Sequence, residues 1–133
     1  MPTLHPNDFA VNQAWIAFRL NDVPIRTEAD GDFNVIGLMD AASCMILGAE
    51  FIPVNADGAS ETESERLLAS GYSHKGQMPE TLFIPSHESA MHLQTEAERH
   101  GITVVRALER DLLPFIGEAR SGFRERFEED RAH

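Results

Sequence analysis

The order of its apolar segments constrains the fold of this chain more than any other feature of the sequence. Three short apolar runs come first, at residues 14–20, 33–39 and 44–54, and turn-forming residues separate them. Runs of this length are typical of strands and are too short for buried helices. Beyond residue 60 the pattern alternates between helix and short strand. The sequence therefore predicts the order β-β-β-α-β-α-β-α.

The three leading runs are expected to form antiparallel strands. The second run is apolar on both faces, as a central strand is. Asp40 follows it and predicts a turn, because an aspartate side chain can accept hydrogen bonds from backbone groups ahead of it. The third run is expected to have a definite inner face, because one face holds Met45, Leu47, Ala49 and Phe51 and the other holds Gly48, Glu50 and Ile52.

Capping residues predict the ends of three helices. The run Ser60-Glu61-Thr62-Glu63 is a capping box, in which the serine oxygen accepts from a backbone amide and the last glutamate reaches back. A glycine can close a helix because it adopts the left-handed conformation without strain. The predicted N-caps are Ser60, Ser86 and Asp111, with Pro114 in the first turn of the last helix, and the predicted end residues of the first two helices are Gly71 and Gly101.

Two further apolar strands, at 81–84 and 102–106, lie between these helices. Connections of this kind are right-handed and leave successive strands parallel. We therefore predict an α/β fold with an α+β-type mixed sheet, in which three antiparallel strands are followed by two parallel strands with helices. The chain is expected to form a single domain over 1–133, with its core at about 14–127 and flexible ends at 1–13 and 128–133.

This order of elements resembles the ribonuclease H-like fold of retroviral-type integrases and transposase cores. The hairpin from Leu38 to Gly48 also resembles the second-to-third strand hairpin of integrase cores, since an aspartate and a short turn precede an apolar stretch that ends in glycine. The resemblance implies a pair of divalent metals, Mg²⁺ or Mn²⁺. It also implies that acidic residues from the first strand, the end of the fourth strand and the last helix hold them.

The first of these acidic positions is not filled. The middle of the first strand is Ile16-Ala17-Phe18, which has no carboxylate, and the fourth strand ends at Pro85-Ser86-His87, with Glu88 as the nearest acid. We therefore expect a domain with no catalytic residues and no cofactor. For the last helix the resemblance offers three candidates: Glu109, Asp111 and Glu118.

Protein contacts, with a second copy of the chain as partner, are the expected function. This expectation rests on two aromatic residues of the last helix, Phe123 and Phe127. The end of that helix extends beyond the expected core. An alternative function is that of a divalent-metal nuclease or phosphodiesterase with an altered acid set, which would be Asp40, Glu88 and Asp111 and would use Mg²⁺ or Mn²⁺.

A third function, sensing of a small ligand or a metal, follows from two polar groupings. Tyr72, His74 and Lys75 lie in a loop expected to face the carboxyl ends of the strands, where ligands often bind. The second group consists of acidic and histidine residues spaced four apart, so that adjacent members lie side by side on a helix. The same spacing is typical of a solvent-exposed helix face. The members of this group are Glu88, His92, Glu96 and His100.

Composition excludes several classes of partner. Aspartate and glutamate number 22 against 11 lysines and arginines, for a net charge of -11, so we expect no binding to nucleic acid or anionic membrane. The chain has one cysteine, Cys44, which cannot form an internal disulfide and is expected to be buried. The start has neither the basic nor the apolar region of a secretory signal, which predicts a cytoplasmic location.

Overall fold

The computed structural model describes residues 5–21, 24–26 and 31–132. A short 3-10 turn, Pro6–Asp8, precedes six strands and three helices. The strands are β1 (Ala14–Arg19), β2 (Ile25–Arg26), β3 (Asp32–Asp40), β4 (Ile46–Pro53), β5 (Thr81–Pro85) and β6 (Thr103–Ala107), and the helices are α1 (Glu61–Lys75), α2 (Met91–Arg99) and α3 (Glu109–Ala132).

All six strands form one mixed sheet. β3 is antiparallel to β1, β2 and β4, while β5 is parallel to β1 and β6 is parallel to β5. The long strands lie in the order β4-β3-β1-β5-β6, and β2 pairs with β3 beyond the end of β1. The predicted mixed sheet is therefore confirmed. β2 was not predicted, because two residues are too few to show an alternating pattern.

Strand β1 separates two hydrophobic cores, because consecutive side chains of a strand point to opposite faces. Trp15 and Ala17 pack beneath α1 and α2, while Ile16 and Phe18 pack beneath α3. The helices contribute Leu67, Leu68, Leu93 and Ala97 to the first core and Leu112, Phe115 and Ile116 to the second. Every side chain of β1 before Arg19 is thus buried in one of the two cores.

Helix α1 begins as predicted but ends later. Ser60 Oγ accepts from the backbone amide of Glu63 at 3.1 Å, and Glu63 Oε1 accepts from that of Ser60 at 2.9 Å. The prediction that Gly71 ends the helix is wrong. The helix continues to Lys75 and closes at Gly76, which has a φ of 74°. Gly71 is buried within the helix, where a Cβ would lie 2.6 Å from the indole of Trp15.

The other two helices do not begin at their predicted caps. The Ser86 amide donates to the carbonyl of Ala107 at 2.7 Å, and α2 starts only at Met91. α3 starts at Glu109, before Asp111, so Pro114 lies inside the helix, where its ring removes one backbone hydrogen bond. Gly101, with a φ of 78°, follows the end of α2 as predicted.

Strand β4 does not have the single inner face that the alternation predicts. The pairing of β3 with β4 shifts between Leu38 and Met39, which leaves Leu47 as an extra residue. Such a bulge reverses which residues point inward. Leu47 is therefore buried in the core beneath α1, whereas Phe51 of the same predicted face is 61% exposed, and Ile52 of the other predicted face is buried.

Candidate functional site at the carboxyl ends of the central strands

Three segments meet at one end of the sheet. The end of β1 and the turn after β5 lie together because these strands are adjacent and parallel. The first turn of α3 follows the end of β6, the next parallel strand. This end of the sheet is where the ribonuclease H-like resemblance places a metal site, and it is where ligands of α/β proteins commonly bind.

The middle of the first strand, Ile16-Ala17-Phe18, has no carboxylate, and Phe18 is its last residue. Its ring is buried, and the guanidinium of Arg120 lies over it with Cζ 6.0 Å from the ring centroid. Arg120 also donates from Nε to the carbonyl of Arg19 at 2.9 Å and forms an ion pair with Glu109. A cationic side chain thus lies beside the part of β1 where the resemblance implies an acid.

The turn after β5 is fixed by Arg106 of the neighbouring strand. Its guanidinium donates to the carbonyls of Pro85, at 3.2 Å, and of Ser86, at 3.3 Å, and also to that of Glu88. The His87 Nε2 lies 3.4 Å from Glu88 Oε1 and 3.9 Å from Glu109 Oε2. The carboxylates of Glu88 and Glu109 are therefore each beside a basic side chain of the same chain.

Asp40 lies at the opposite end of the sheet from Glu88. Asp40 pairs with Trp15 near the start of β1, and the Ala41 amide donates to the carbonyl of Ala14 at 2.9 Å. Glu88 follows the end of β5, which runs parallel to β1. Asp111, in the first turn of α3, lies at the Glu88 end. The altered acid set of Asp40, Glu88 and Asp111 therefore does not converge on one point.

Asp40 opens a turn, and both of its carboxylate oxygens are used there. Oδ1 accepts from the Asn12 amide at 2.7 Å, and Oδ2 accepts from the Ser43 amide at 2.9 Å and the Ser43 hydroxyl at 2.8 Å. The first strand thus supplies no carboxylate to the implied metal pair, and Asp40 of the altered acid set is engaged in its own turn. Within the described ranges no three His, Cys, Asp or Glu side chains form a group suited to a metal ion.

Tyr72, His74 and Lys75 lie in the last turn of α1 and not in a loop. The segment that follows leads to the start of β5, where the Glu80 amide donates to the carbonyl of Gln13 at 3.0 Å. The expectation that these three residues face the carboxyl ends of the strands is wrong. The cause is that the segment leads directly into β5 and therefore meets this strand at its amino end.

The structure brings together only part of the series of residues spaced four apart, Glu88, His92, Glu96 and His100. Glu88 precedes the helix and belongs to the turn after β5. Glu96 is buried and lies 3.2 Å from His100 Nε2 and 3.3 Å from Arg99 Nη1, while His92 is exposed. Glu96 and His100 are therefore in contact, whereas Glu88 and His92 lie apart from them.

Three arginines at this end of the sheet were not predicted as site residues: Arg19, Arg106 and Arg120. Only Arg19 carried a usable signal. It shares a strand face with Trp15 and Ala17, and a charged residue in line with buried apolar positions requires an explanation. The partners of Arg106 and Arg120 depend on contacts between distant segments.

No protein-family model and no curated protein sequence matches this chain. Solved structures do. A chain of the simian T-cell lymphotropic virus intasome, in complex with the PP2A regulatory subunit B56 gamma, matches with a TM-score of 0.56 and 12% identity over 84% of this chain. The HTLV-2 integrase catalytic core domain, in complex with magnesium and in a dimeric form, matches with a TM-score of 0.51 and 12% identity over 82% of both chains.

The fold is therefore ribonuclease H-like, as in the integrase cores. This chain spans 37% of the length of the intasome chain. Endonuclease V from Bacillus subtilis aligns over 72% of this chain and 43% of its own, at 18% identity, but its TM-score of 0.31 carries no weight here. In the described part of the chain, no helix has the length and apolar character needed to cross a membrane.

Proposed function

We propose that this protein is a non-catalytic domain with a ribonuclease H-like fold that acts through protein contacts, with a second copy of itself as partner. The burial of Phe18 beneath Arg120 carries the first part of this proposal. A metal pair that clamps both reacting oxygens needs converging carboxylates. The first strand supplies none, and Asp40 lies at the other end of the sheet.

The contact surface that the structure favours is the outer edge of β4. We define the β4 edge surface as the exposed apolar side chains of Met45, Ile46, Phe51 and Val54. In the described residues β4 pairs only with β3, so its other edge presents unpaired backbone groups. An edge strand with exposed apolar side chains is a template for pairing with another chain.

A second copy suits this surface because an antiparallel strand pair can form about a two-fold axis, with the same residues on both sides. Glu50, the acidic residue of β4, forms an ion pair with Arg66 of α1 at 2.7 Å, which reduces repulsion between two acidic copies. The HTLV-2 integrase core is described in a dimeric form, which also supports self-association.

Helix α3 is less suited to a contact surface than the sequence suggested. Phe123 packs against the core beneath α3 and is only partly accessible. Phe127 lies outside the residues whose side chains the structure describes. The proposed interface is therefore the β4 edge surface and not the aromatic pair on α3.

Sedimentation velocity over a concentration series tests the self-association. The wild-type chain should form a dimer, and Phe51→Glu should weaken it by at least about tenfold, because a charge replaces a central apolar contact. Met91→Glu is the matched control, since Met91 is 71% exposed and lies on α2, over the other half of the sheet. A wild-type monomer at high micromolar concentration, or equal effects of the two variants, would refute the proposed interface.

A separate experiment tests the absence of catalysis. We expect neither cleavage of DNA or RNA in Mg²⁺ or Mn²⁺ nor measurable affinity for duplexes at physiological salt, because the net charge of -11 opposes a phosphate backbone. Fluorescence anisotropy and a cleavage assay measure both. Metal-dependent cleavage, or salt-dependent micromolar binding, would favour the nuclease function instead.

A further inference from the structure

A pocket of about 200 Å³ lies at the end of β1, on the sheet face that carries α1 and α2. Its floor includes Arg19, Asn34 and Ile52, and its walls are formed by segments 53–58 and 87–89. Arg19 lies four residues after Trp15 and thus on the same face, whereas Phe18 points to the opposite one. The pocket is therefore separate from the contact between Phe18 and Arg120.

The Arg19 side chain is the unusual feature of this pocket. Its Nε is buried and has no hydrogen-bond partner, and its guanidinium forms no ion pair with any residue in the described ranges. An unpaired buried donor destabilises a fold by about 1–3 kcal/mol. In a chain with twice as many acids as bases, a guanidinium left without a carboxylate is suited to a carboxylate from outside.

Asn34 places a second donor beside it. The strand register sets Arg19 opposite Ile36 and sets Ile52 opposite Asn34, so Asn34 is a diagonal neighbour of Arg19 on one face. Asn34 Oδ1 accepts from Asn21 Nδ2 at 3.0 Å, which leaves the Asn34 amide group to donate. Two donors thus adjoin an apolar floor formed by Ile36 and Ile52.

The walls of the pocket are held in place before any ligand arrives. Gly58 packs directly on the backbone of Ser89, where a Cβ would lie only 2.1 Å from the carbonyl oxygen. Arg106 fixes the turn after β5 through three carbonyl groups, including that of Glu88. The pocket is therefore preformed, as small-molecule sites usually are.

We propose that this pocket binds a small carboxylic acid, with its carboxylate on Arg19 and Asn34 and its hydrocarbon part on Ile36 and Ile52. A guanidinium matches a planar carboxylate through two parallel hydrogen bonds. Glu88 lies in the wall and would repel a phosphate dianion more strongly than a single carboxylate. The inference does not depend on the proposed self-association.

Titration of the ¹⁵N-labelled full chain, followed by NMR, tests this site with 3-methylbutyrate as the probe. The probe should shift the amide signals of Arg19, Asn34 and residues 87–89 in a saturable way. The uncharged analogue 3-methylbutanamide should bind at least about tenfold more weakly, because it lacks the charge that Arg19 pairs with. Absence of saturable shifts, or tighter binding of inorganic phosphate, would overturn the proposal.

Arg19→Met should weaken 3-methylbutyrate binding by at least about tenfold, whereas Arg26→Met, which removes an exposed arginine from β2, should leave it unchanged. Urea unfolding distinguishes a binding residue from a structural one. Because Arg19→Met removes an unpaired buried donor, its unfolding midpoint should equal or exceed that of the wild type. A large loss of stability, or unchanged affinity for the probe, would show that Arg19 does not serve a ligand.

Discussion

Arg120 of α3 lies over the ring of Phe18 of β1, and its Nε donates to the carbonyl of Arg19 at 2.9 Å. One side chain thus ties the last helix to the first strand, across about one hundred residues of sequence. The carboxylate that Arg120 contacts, Glu109, begins the same helix. At this end of the sheet, Arg120 therefore joins α3 to β1 by packing, a hydrogen bond and an ion pair.

Phe18→Asp should destabilise the protein without creating a nuclease. The aspartate would lose the buried ring and enter an apolar core, at a cost of about 3–5 kcal/mol. Phe18→Leu is the matched control and should cost less than about 1.5 kcal/mol, because it conserves apolar character. Urea unfolding measures both changes. Cleavage by Phe18→Asp that requires Mg²⁺ would show that a metal site needs only this one carboxylate.

Replacing two glycines by alanine should change stability in opposite directions. Gly71→Ala should destabilise by about 1–3 kcal/mol, since the added Cβ would lie 2.6 Å from the Trp15 ring. Gly122→Ala, in α3, should stabilise by about 0.5–1 kcal/mol, because nothing lies within 4 Å of its Cβ and alanine favours helix. Thermal or urea unfolding measures the difference, and equal effects would contradict the close packing at Gly71.

The order of strands and helices along the chain was predictable because it follows from local patterns. Short apolar runs and a capping box are encoded within a few residues, and Ser60 with Glu63 form their predicted bonds. The end of α1 was not predictable in this way. Gly71 and Gly76 look alike in sequence, and only the contact of Gly71 with Trp15 shows which of them is needed for packing and which for the turn.

The candidate site was less predictable than the fold because its residues come from distant segments. The sequence shows Asp40, Glu88 and Asp111 as acids, but strand direction alone decides that Asp40 lies at the other end of the sheet. The extra residue Leu47 changes the faces of β4 without any local signal. Pairing of Arg120 with Glu109, like the lack of a hydrogen-bond partner for Arg19 Nε among the described residues, becomes visible only in three dimensions.

Cys44 should make stability fall at alkaline pH. Burial raises the pKa of its thiol, and the carboxylates of Glu118 and Asp40 add to the effect. The folded state therefore holds this proton more tightly than the unfolded chain does. Its contribution is present below the ordinary thiol pKa of about 8.5 and is lost as pH rises through the higher folded pKa.

Urea unfolding across this alkaline range measures the Cys44 effect. Cys44→Ser is the matched control, because its hydroxyl does not titrate there, and its stability should fall less steeply with pH than that of the wild type. Alkylation by iodoacetamide at neutral pH should also be slower than for a free cysteine, since the thiolate is the reactive form. Parallel pH profiles for the two proteins would contradict the raised pKa.

Asp40→Ala should be strongly destabilising, because the Asp40 carboxylate joins two distant turns. It accepts from the amide of Asn12, whose own side chain accepts from Trp15 Nε1 at 2.7 Å, and from the amide and hydroxyl of Ser43. Removing it leaves a buried amide unpaired, at a cost of about 2–4 kcal/mol. Ser43→Ala, which removes only the hydroxyl, should cost about 1 kcal/mol. Hydrogen exchange at the Asn12 amide should accelerate in the first variant alone, and equal exchange in both would show that Asp40 does not hold this turn.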